Sequence, residues 1–233
     1  RILDDLSHNQ SYQTTGCSLH DDICPHSGDY RFIRTDICNR QAVEKLFQEV
    51  QPDVVINTSA LSVPDYCETH HAEADAVNIT AVELLAECCE TGGSRFIHLS
   101  TDFVFGGDTD RPYTEEDIPA PVNYYGYTKL EGEKRIAAVC RDYAIVRVVV
   151  VYGAALPGQH GNVLQLVANR LRNNEEVFVV SDQWRTPTFV GDVSQGVEKL
   201  ISHPQNGIYH LCGSECLTIA DIAYRVADVL GLN

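Results

Sequence analysis

Methionine is absent from the 233 residues, and tryptophan occurs once, as Trp184. A chain of this length ordinarily carries several methionines, and this one starts at Arg1, so a segment is expected before Arg1. Also missing is any run near the roughly 18 apolar residues that a membrane-spanning helix requires. The longest apolar stretch, Ile145 to Tyr152, is broken by Arg147 and has the length of a buried strand, so no membrane partner is expected. No basic-then-apolar leader opens the chain, which points to a cytoplasmic protein. Positive charge is scarce: 17 Lys and Arg stand against 33 Asp and Glu, a formal net charge of −16. Such a field repels a phosphate backbone and no basic stripe reverses it, so no nucleic-acid partner is expected. An anionic small ligand stays compatible, because one arginine in a pocket outweighs distant charges that salt screens. Cysteines are plentiful but lack ordered spacing. The nine are scattered, Cys88 adjoins Cys89, and Cys212 and Cys216 form only a C-x3-C. Neither a disulfide framework nor a zinc site has that pattern, and the nine histidines show no ligand spacing, so reduced thiols and no metal are expected.

What is present is an alternation of short apolar strands and amphipathic helices. Residues 30–37 (YRFIRTDI) read as a strand. Residues 39–50 place Val43, Leu46, Phe47 and Val50 at helical spacing, and Pro52 ends that helix because proline cannot continue its hydrogen-bond ladder. DVVINTSA, 53–60, is a β-branched run of the kind buried on both faces of a parallel sheet. A helix over about 72–91 stops at Gly92-Gly93, followed by a strand at 95–105, a helix at about 124–139 and a strand at 144–153. Further on come a helix at about 162–173, a strand at 176–180, and helices at about 191–202 and 218–230. This order predicts an α/β fold, a Rossmann-like doubly wound parallel sheet with ligands at the carboxyl ends of its strands. Residues 1–155 are expected to form the dinucleotide-binding domain, with 190–205 packing back onto it. Residues 156–189 and 206–233 are expected to form a small C-terminal substrate lobe. Such a fold opens with a strand and a G-x-G-x-x-G turn, and no such turn occurs in the chain. Residues 1–9 read as the tail of a helix and 13–22 as the second strand, so the first strand and glycine loop are expected before Arg1.

The strongest chemical signal is Tyr125-Gly126-Tyr127-Thr128-Lys129. Residues four apart share one helix face, so Tyr125 and Lys129 are expected side by side. Hydride transfer to a ketone leaves charge on the carbonyl oxygen, and a proton donor must meet it. A phenol with an ammonium beside it has a lowered pKa and can act as that general acid. Ser100-Thr101-Asp102 closes a strand upstream, where a hydroxyl can donate a second hydrogen bond to the developing oxyanion.

HLSTDFVF followed by PYTEEDIPAPVNYYGYTKLEGEK resembles the dTDP-4-dehydrorhamnose reductase group of the extended short-chain dehydrogenases/reductases. Phe103 stands where that group has tyrosine, and Gly106 where it has aspartate. The likeness continues through Asp36-Ile37, through Pro52 to Asn57 with Ala60, Asn78, Arg147 with Val151-Tyr152-Gly153, and through Val180 to Asp192, where Arg185 replaces glycine. The resemblance implies a catalytic set of Thr101, Tyr125 and Lys129. It implies cofactor contacts from Asp36, Ile37, Ala60, Ser100, Tyr125 and Lys129. Asp102, Phe103, Trp184 and Arg185 are then the expected substrate contacts, the indole stacking on a ring and Arg185 pairing with a diphosphate. The cofactor is NADP or NAD. Acids in Ser18 to Asp22 favour NAD, since a carboxylate there binds a ribose 2′-hydroxyl. The implied reaction is reduction of the 4-keto group of a dTDP-4-keto-6-deoxyhexose, a nucleotide-sugar substrate, and a homodimer is left open. Two other readings fit the same motifs. One is a non-catalytic, NADP-binding regulatory subunit like the methionine adenosyltransferase β subunit, which shares the EEDIPAP stretch at 115–121. The other is a sugar-nucleotide epimerase; a dehydratase would want a second acid beside Thr101-Asp102.

Overall fold

The computed structural model describes residues 14–18, 30–153, 162–203 and 205–232. Residues 1–13 and 19–22, on which the helix tail and most of the NAD-versus-NADP expectation rest, lie outside the described residues.

Two parallel strands, β1 (Thr14–Ser18) and β2 (Tyr30–Arg34), pair with each other. Helix α1 (Arg40–Val50) follows, its first turn capped by Asn39, whose side chain accepts from the Ala42 N–H. The central sheet is built from β3 (Val54–Asn57), β4 (Arg95–Thr101), β5 (Tyr143–Val148) and β9 (Gly207–Leu211), all parallel and in that spatial order. Between β3 and β4 run α2 (Pro64–Cys67), α3 (His71–Asp75), a π-helical turn (Ala76–Thr80) and α4 (Ala81–Gly92). Helix α5 (Tyr124–Val139) connects β4 to β5. The sheet is covered on both faces. Val82, Leu85, Ala86 and Cys89 of α4 and Ile136 of α5 close over Phe96 and Ile145. On the other side Val193, Val197 and Leu200 of α7 (Val190–Ile201) close over Ile97, Ala144 and Val146. Alternate residues of β4 thus serve opposite cores, the period-two geometry of a strand buried on both faces. The remaining elements are β6 (Val151–Tyr152), α6 (Val163–Arg172), β7 (Trp184–Arg185), β8 (Thr188–Phe189), β10 (Leu217–Thr218) and α8 (Ile219–Leu230).

The parallel α/β sheet agrees with the sequence reading, and residues 190–201 pack onto it. Three details differ. Residues 206–211 were expected in the lobe, yet β9 pairs with β5 along its whole length and extends the central sheet. Residues 176–180 form no strand; among the described residues no strand pairs with them, and Phe178 is exposed. The helix expected over 72–91 is interrupted by the π turn at 76–80, which carries the buried Asn78. Among the described residues no helix is long and apolar enough to cross a membrane.

Candidate active site

Strand β4 ends at Thr101 and turns through one 3-10 turn, Asp102–Val104. The Thr101 hydroxyl caps that turn, accepting from the Phe103 N–H at 3.2 Å. Helix α5 starts against it, capped by Asn123, whose side chain accepts from the Gly126 N–H at 2.7 Å. A Cβ on Gly126 would sit 2.1 Å from the Phe103 carbonyl oxygen, so only glycine lets the helix approach this closely. That approach brings the Tyr125 phenol beside the Thr101 hydroxyl, which itself donates to Asp102 at 3.2 Å. The Tyr125 ring meets Phe103 edge-on, with centroids 5.7 Å apart. From the lobe Arg185 reaches across to pair with Asp102 at 3.4 Å, its guanidinium 5.9 Å from the Phe103 ring centre. Thr101, Asp102, Phe103, Tyr125 and Arg185 therefore form one connected cluster at the carboxyl end of a central strand. Ligands are held at such a point in open α/β sheets.

Burial pushes the Tyr125 phenol up to about 12; the nearby Thr101 hydroxyl opposes that rise, and the charges of Asp102 and Cys67 add to it. Burial likewise raises the Asp102 carboxyl, against the pull of Arg185 and the Thr101 hydroxyl. At neutral pH the phenol is therefore protonated, the form needed to give a proton rather than take one. The expected tuning of this phenol by the Lys129 ammonium is not what the structure shows. Lys129 lies on the same face one turn along but is engaged elsewhere: Nζ is 3.0 Å from His98 Nε2 and donates to the Leu99 carbonyl at 2.8 Å. Burial, opposed by Glu133, lowers the Lys129 ammonium to about 8. Helical spacing set the shared face, but tertiary partners from β4 set where the amine goes.

Ser100 is engaged on the α5 side of its strand. Its hydroxyl donates to Glu133 of α5, and Glu133 accepts a two-pronged ion pair from Arg147 at 3.0 and 2.6 Å. Its side chain is thus part of a buried network in which Glu133 and Arg147 are 3% and 2% exposed. Strand alternation explains the split: Ser100 and Thr101 leave opposite faces of β4. Ala60 lies in the loop after β3. Asn78 clamps that loop, accepting from the Leu61 N–H at 2.9 Å and donating to the Leu61 carbonyl and the Thr128 hydroxyl at 3.0 Å each. The π turn under Asn78 packs against Gly132, where a Cβ would lie 2.5 Å from the Asn78 carbonyl oxygen. Asp36 and Ile37 follow β2, and the Asp36 carboxylate accepts from the Cys38 N–H at 2.9 Å. Trp184 is 61% exposed on β7, which pairs antiparallel with β10. The neighbouring lobe cavity, about 460 Å3, is lined by Tyr152, Gly153, Gln165, Pro187, Leu217 and Arg225 and includes none of the Tyr125 cluster.

Asn57, His98 and Glu133 link the strands to the helix that bears Tyr125; the sequence reading placed Asn57 in a cofactor-lining motif and gave His98 and Glu133 no role. Each is a polar residue inside an apolar strand or on the inner face of a helix, where it must find a partner. That demand was the available signal.

A family described as the RmlD substrate binding domain matches residues 3–233. A probable low-salt glycan biosynthesis reductase of Haloferax volcanii is 34% identical over 97% of this chain and 71% of its own. The dTDP-4-dehydrorhamnose reductase of Escherichia coli is 33% identical over 87% and 67%. The methionine adenosyltransferase 2 subunit beta of Mus musculus is 33% identical over 95% and 66%, so the chain spans about two thirds of these relatives. A dTDP-4-dehydrorhamnose reductase of Bacillus anthracis, solved in complex with NADP, superimposes with a TM-score of 0.84 at 26% identity, covering 95% of this chain and 82% of that one. The chain belongs to the RmlD substrate binding domain family, the group it resembles among the extended short-chain dehydrogenases/reductases.

Proposed function

We propose that this protein reduces the keto group of a nucleotide-linked sugar with NADPH or NADH, and that its substrate is a dTDP-4-keto-6-deoxyhexose. The observation that carries this reading is the cluster in which Thr101 and Tyr125 meet at the end of β4 beside the Asp102–Arg185 pair. The reductases among its relatives support the reaction class.

The residues present fit a nicotinamide dinucleotide. The loop after β3 and the end of β4 lie at the carboxyl ends of adjacent parallel strands. Asn78 ties the first of them, with Ala60, to the helix that bears Tyr125. Lys129 Nζ uses two directions on His98 and Leu99, which leaves a third for a ribose hydroxyl. When bound, the dinucleotide supplies the hydride. The chain then handles the proton: Tyr125 gives its phenolic proton to the sugar oxygen as charge develops there, and Thr101 holds that oxygen. An alkoxide is far more basic than a phenolate, so a phenol raised to about 12 still transfers its proton downhill. Such a phenol is a poor base, which favours the reducing direction. Arg185 and the exposed Trp184 are the lobe side chains offered to the nucleotide end.

Full-length protein mixed with a dTDP-4-keto-6-deoxyhexose and either NADPH or NADH should consume the nicotinamide absorbance. Folded protein that binds the dinucleotide yet consumes neither cofactor refutes the proposal. That outcome favours a second reading, a dinucleotide-binding subunit without turnover. The observation favouring it is that the mouse subunit relative is as similar to this chain as the E. coli reductase. A stoichiometric complex with a methionine adenosyltransferase, without cofactor oxidation, would establish it.

A further inference from the structure

Phe103 and Arg185 stand where the related group has tyrosine and glycine, and the structure brings the two side chains together. A phenylalanine ring offers a guanidinium its face without competing for a hydrogen bond. Arg185 lies over that face, 5.9 Å from the ring centre, and its Nη1 donates to the Trp184 carbonyl at 2.9 Å. Its Nε sits 3.4 Å from Asp102 Oδ2. The other oxygen of the same carboxylate, Oδ1, accepts the Thr101 hydroxyl at 3.2 Å.

A hydroxyl has one hydrogen and two lone pairs. At Thr101 a lone pair takes the Phe103 N–H at 3.2 Å, and the single hydrogen goes to Asp102. In the reductase reading, on which this inference rests, Thr101 must give that hydrogen to the sugar oxygen as charge develops there. Asp102 therefore competes with the substrate for it. A hydrogen bond to an ionised carboxylate is about twice as strong as one to a neutral acceptor, so an uncompensated Asp102 would win. A cation on the far oxygen weakens that hold.

We propose that Arg185 is a positioning residue for the Thr101 hydroxyl: by neutralising Asp102 from β7, it frees the one Thr101 hydrogen to turn from the carboxylate to the substrate oxygen. Among the described residues, the charged and titratable groups that face Asp102 are Arg185 of β7 and Tyr125 of α5, with Cys67 of α2 packed against Tyr125. Tyr125 is a neutral phenol at working pH, so Arg185 is the counter-charge. Burial raises the Asp102 carboxyl and Arg185 opposes the rise, so loss of the guanidinium moves that carboxyl higher still. Above its midpoint the bare carboxylate keeps the Thr101 hydrogen. Below it, the neutral carboxyl releases its grip. An arginine that only gripped a diphosphate would act on affinity and leave kcat alone.

Arg185→Met should lower kcat by about 10- to 100-fold at roughly pH 8, part of the loss expected when an oxyanion donor is removed, with a smaller change in KM. The deficit should shrink as pH falls through the Asp102 midpoint. Arg185→Lys keeps a cation and should recover most of the rate. In Asp102→Asn the charged competitor is gone, so adding Arg185→Met should cost little more. Raised KM with native kcat at every pH overturns the proposal, and so does an equal loss of kcat in the Asp102→Asn background. Carbon NMR of the aspartate carboxyls needs no turnover. It should place Asp102, assigned through its loss in Asp102→Asn, about one unit or more higher in Arg185→Met than in the native protein. An unshifted Asp102 overturns the proposal whatever the kinetics. A native protein that reduces no keto sugar yet shows the shift sinks the reductase reading and leaves the hold of Arg185 on Asp102 standing.

Discussion

Replacing Glu133 by Gln should destabilise the protein by about 3–5 kcal/mol, although the two side chains have nearly the same shape. Glu133 sits 3% exposed between the Ser100 hydroxyl and the Arg147 guanidinium, which is 2% exposed. A glutamine keeps one carbonyl oxygen but presents an NH2 where Arg147 needs an acceptor, leaving a buried guanidinium uncompensated. Arg147 has little to fall back on. Among the described residues its Nη1 has no hydrogen-bond partner, its guanidinium carbon lies 5.1 Å from the Phe105 ring, and Glu115 feels its charge without forming an ion pair with it. Breaking one side of a buried pair in this way typically costs about 3–5 kcal/mol. For a chain of this size that lowers the melting temperature by roughly 6–20 °C. Urea titration followed by circular dichroism measures the free energy, and a thermal scan checks it. Replacing both members, Glu133→Leu with Arg147→Met, should recover most of the loss, because the desolvation penalty disappears with the charges. A single variant within about 1 kcal/mol of the native protein would refute the reasoning, since surface pairs are worth that little and this pair would then behave as one.

Gly126→Ala should lower kcat/KM by about 100-fold, because the added carbon must push the Thr101–Phe103 turn away from Tyr125, and displacements near 1 Å have effects of that size; steady-state kinetics on folded variant protein would show it, and near-native activity would mean the turn can yield harmlessly. Asn78→Leu removes three hydrogen bonds, one of them fully buried, at a cost of at least about 2 kcal/mol, read by the same urea titration. Lys129 carries a pH signature. Its folded pKa, about 8, lies below its ordinary value of 10.5, so between these values the unfolded chain binds the proton and the folded chain does not. Stability from this group therefore rises with pH through that window and is lost as pH falls through it, by about 3 kcal/mol in total. Comparing urea midpoints from pH 7 to 10 should show that rise in the native protein and a smaller one in Lys129→Met.

Much of the frame was legible because local signals and tertiary needs agreed. Helix α5 was read to its ends: Asn123 supplies the cap, and the interval from Tyr125 to Lys129 fixes the face. Thr101 and Tyr125 were placed together because a strand end and a helix start are local features. Other parts depend on contacts that no window of sequence contains. The segment 176–180 has strand composition, but a strand needs an edge to pair with, and among the described residues none pairs with it. Conversely, β9 follows the lobe in sequence yet finds its partner in β5. The π turn at Ala76–Thr80 keeps helical periodicity on either side, so its extra residue shows only in the way Asn78 is turned inward. The failed expectation about Lys129 has the same origin. Spacing on one helix located the amine correctly, while its partner His98 came from a strand 31 residues earlier. Arg147 did announce itself, as a charge inside the most apolar run, and such a residue requires a counter-charge; Glu133 is that partner.

Turnover by Tyr125→Phe, measured beside its affinity for NADPH, bears most directly on the idea that one buried phenol supplies the proton. The variant should fold, bind NADPH as the native protein does, and reduce the keto sugar about 100- to 10,000-fold more slowly. A variant that lacks the hydroxyl yet turns over within tenfold of the native rate would contradict the assignment of Tyr125 as the acid.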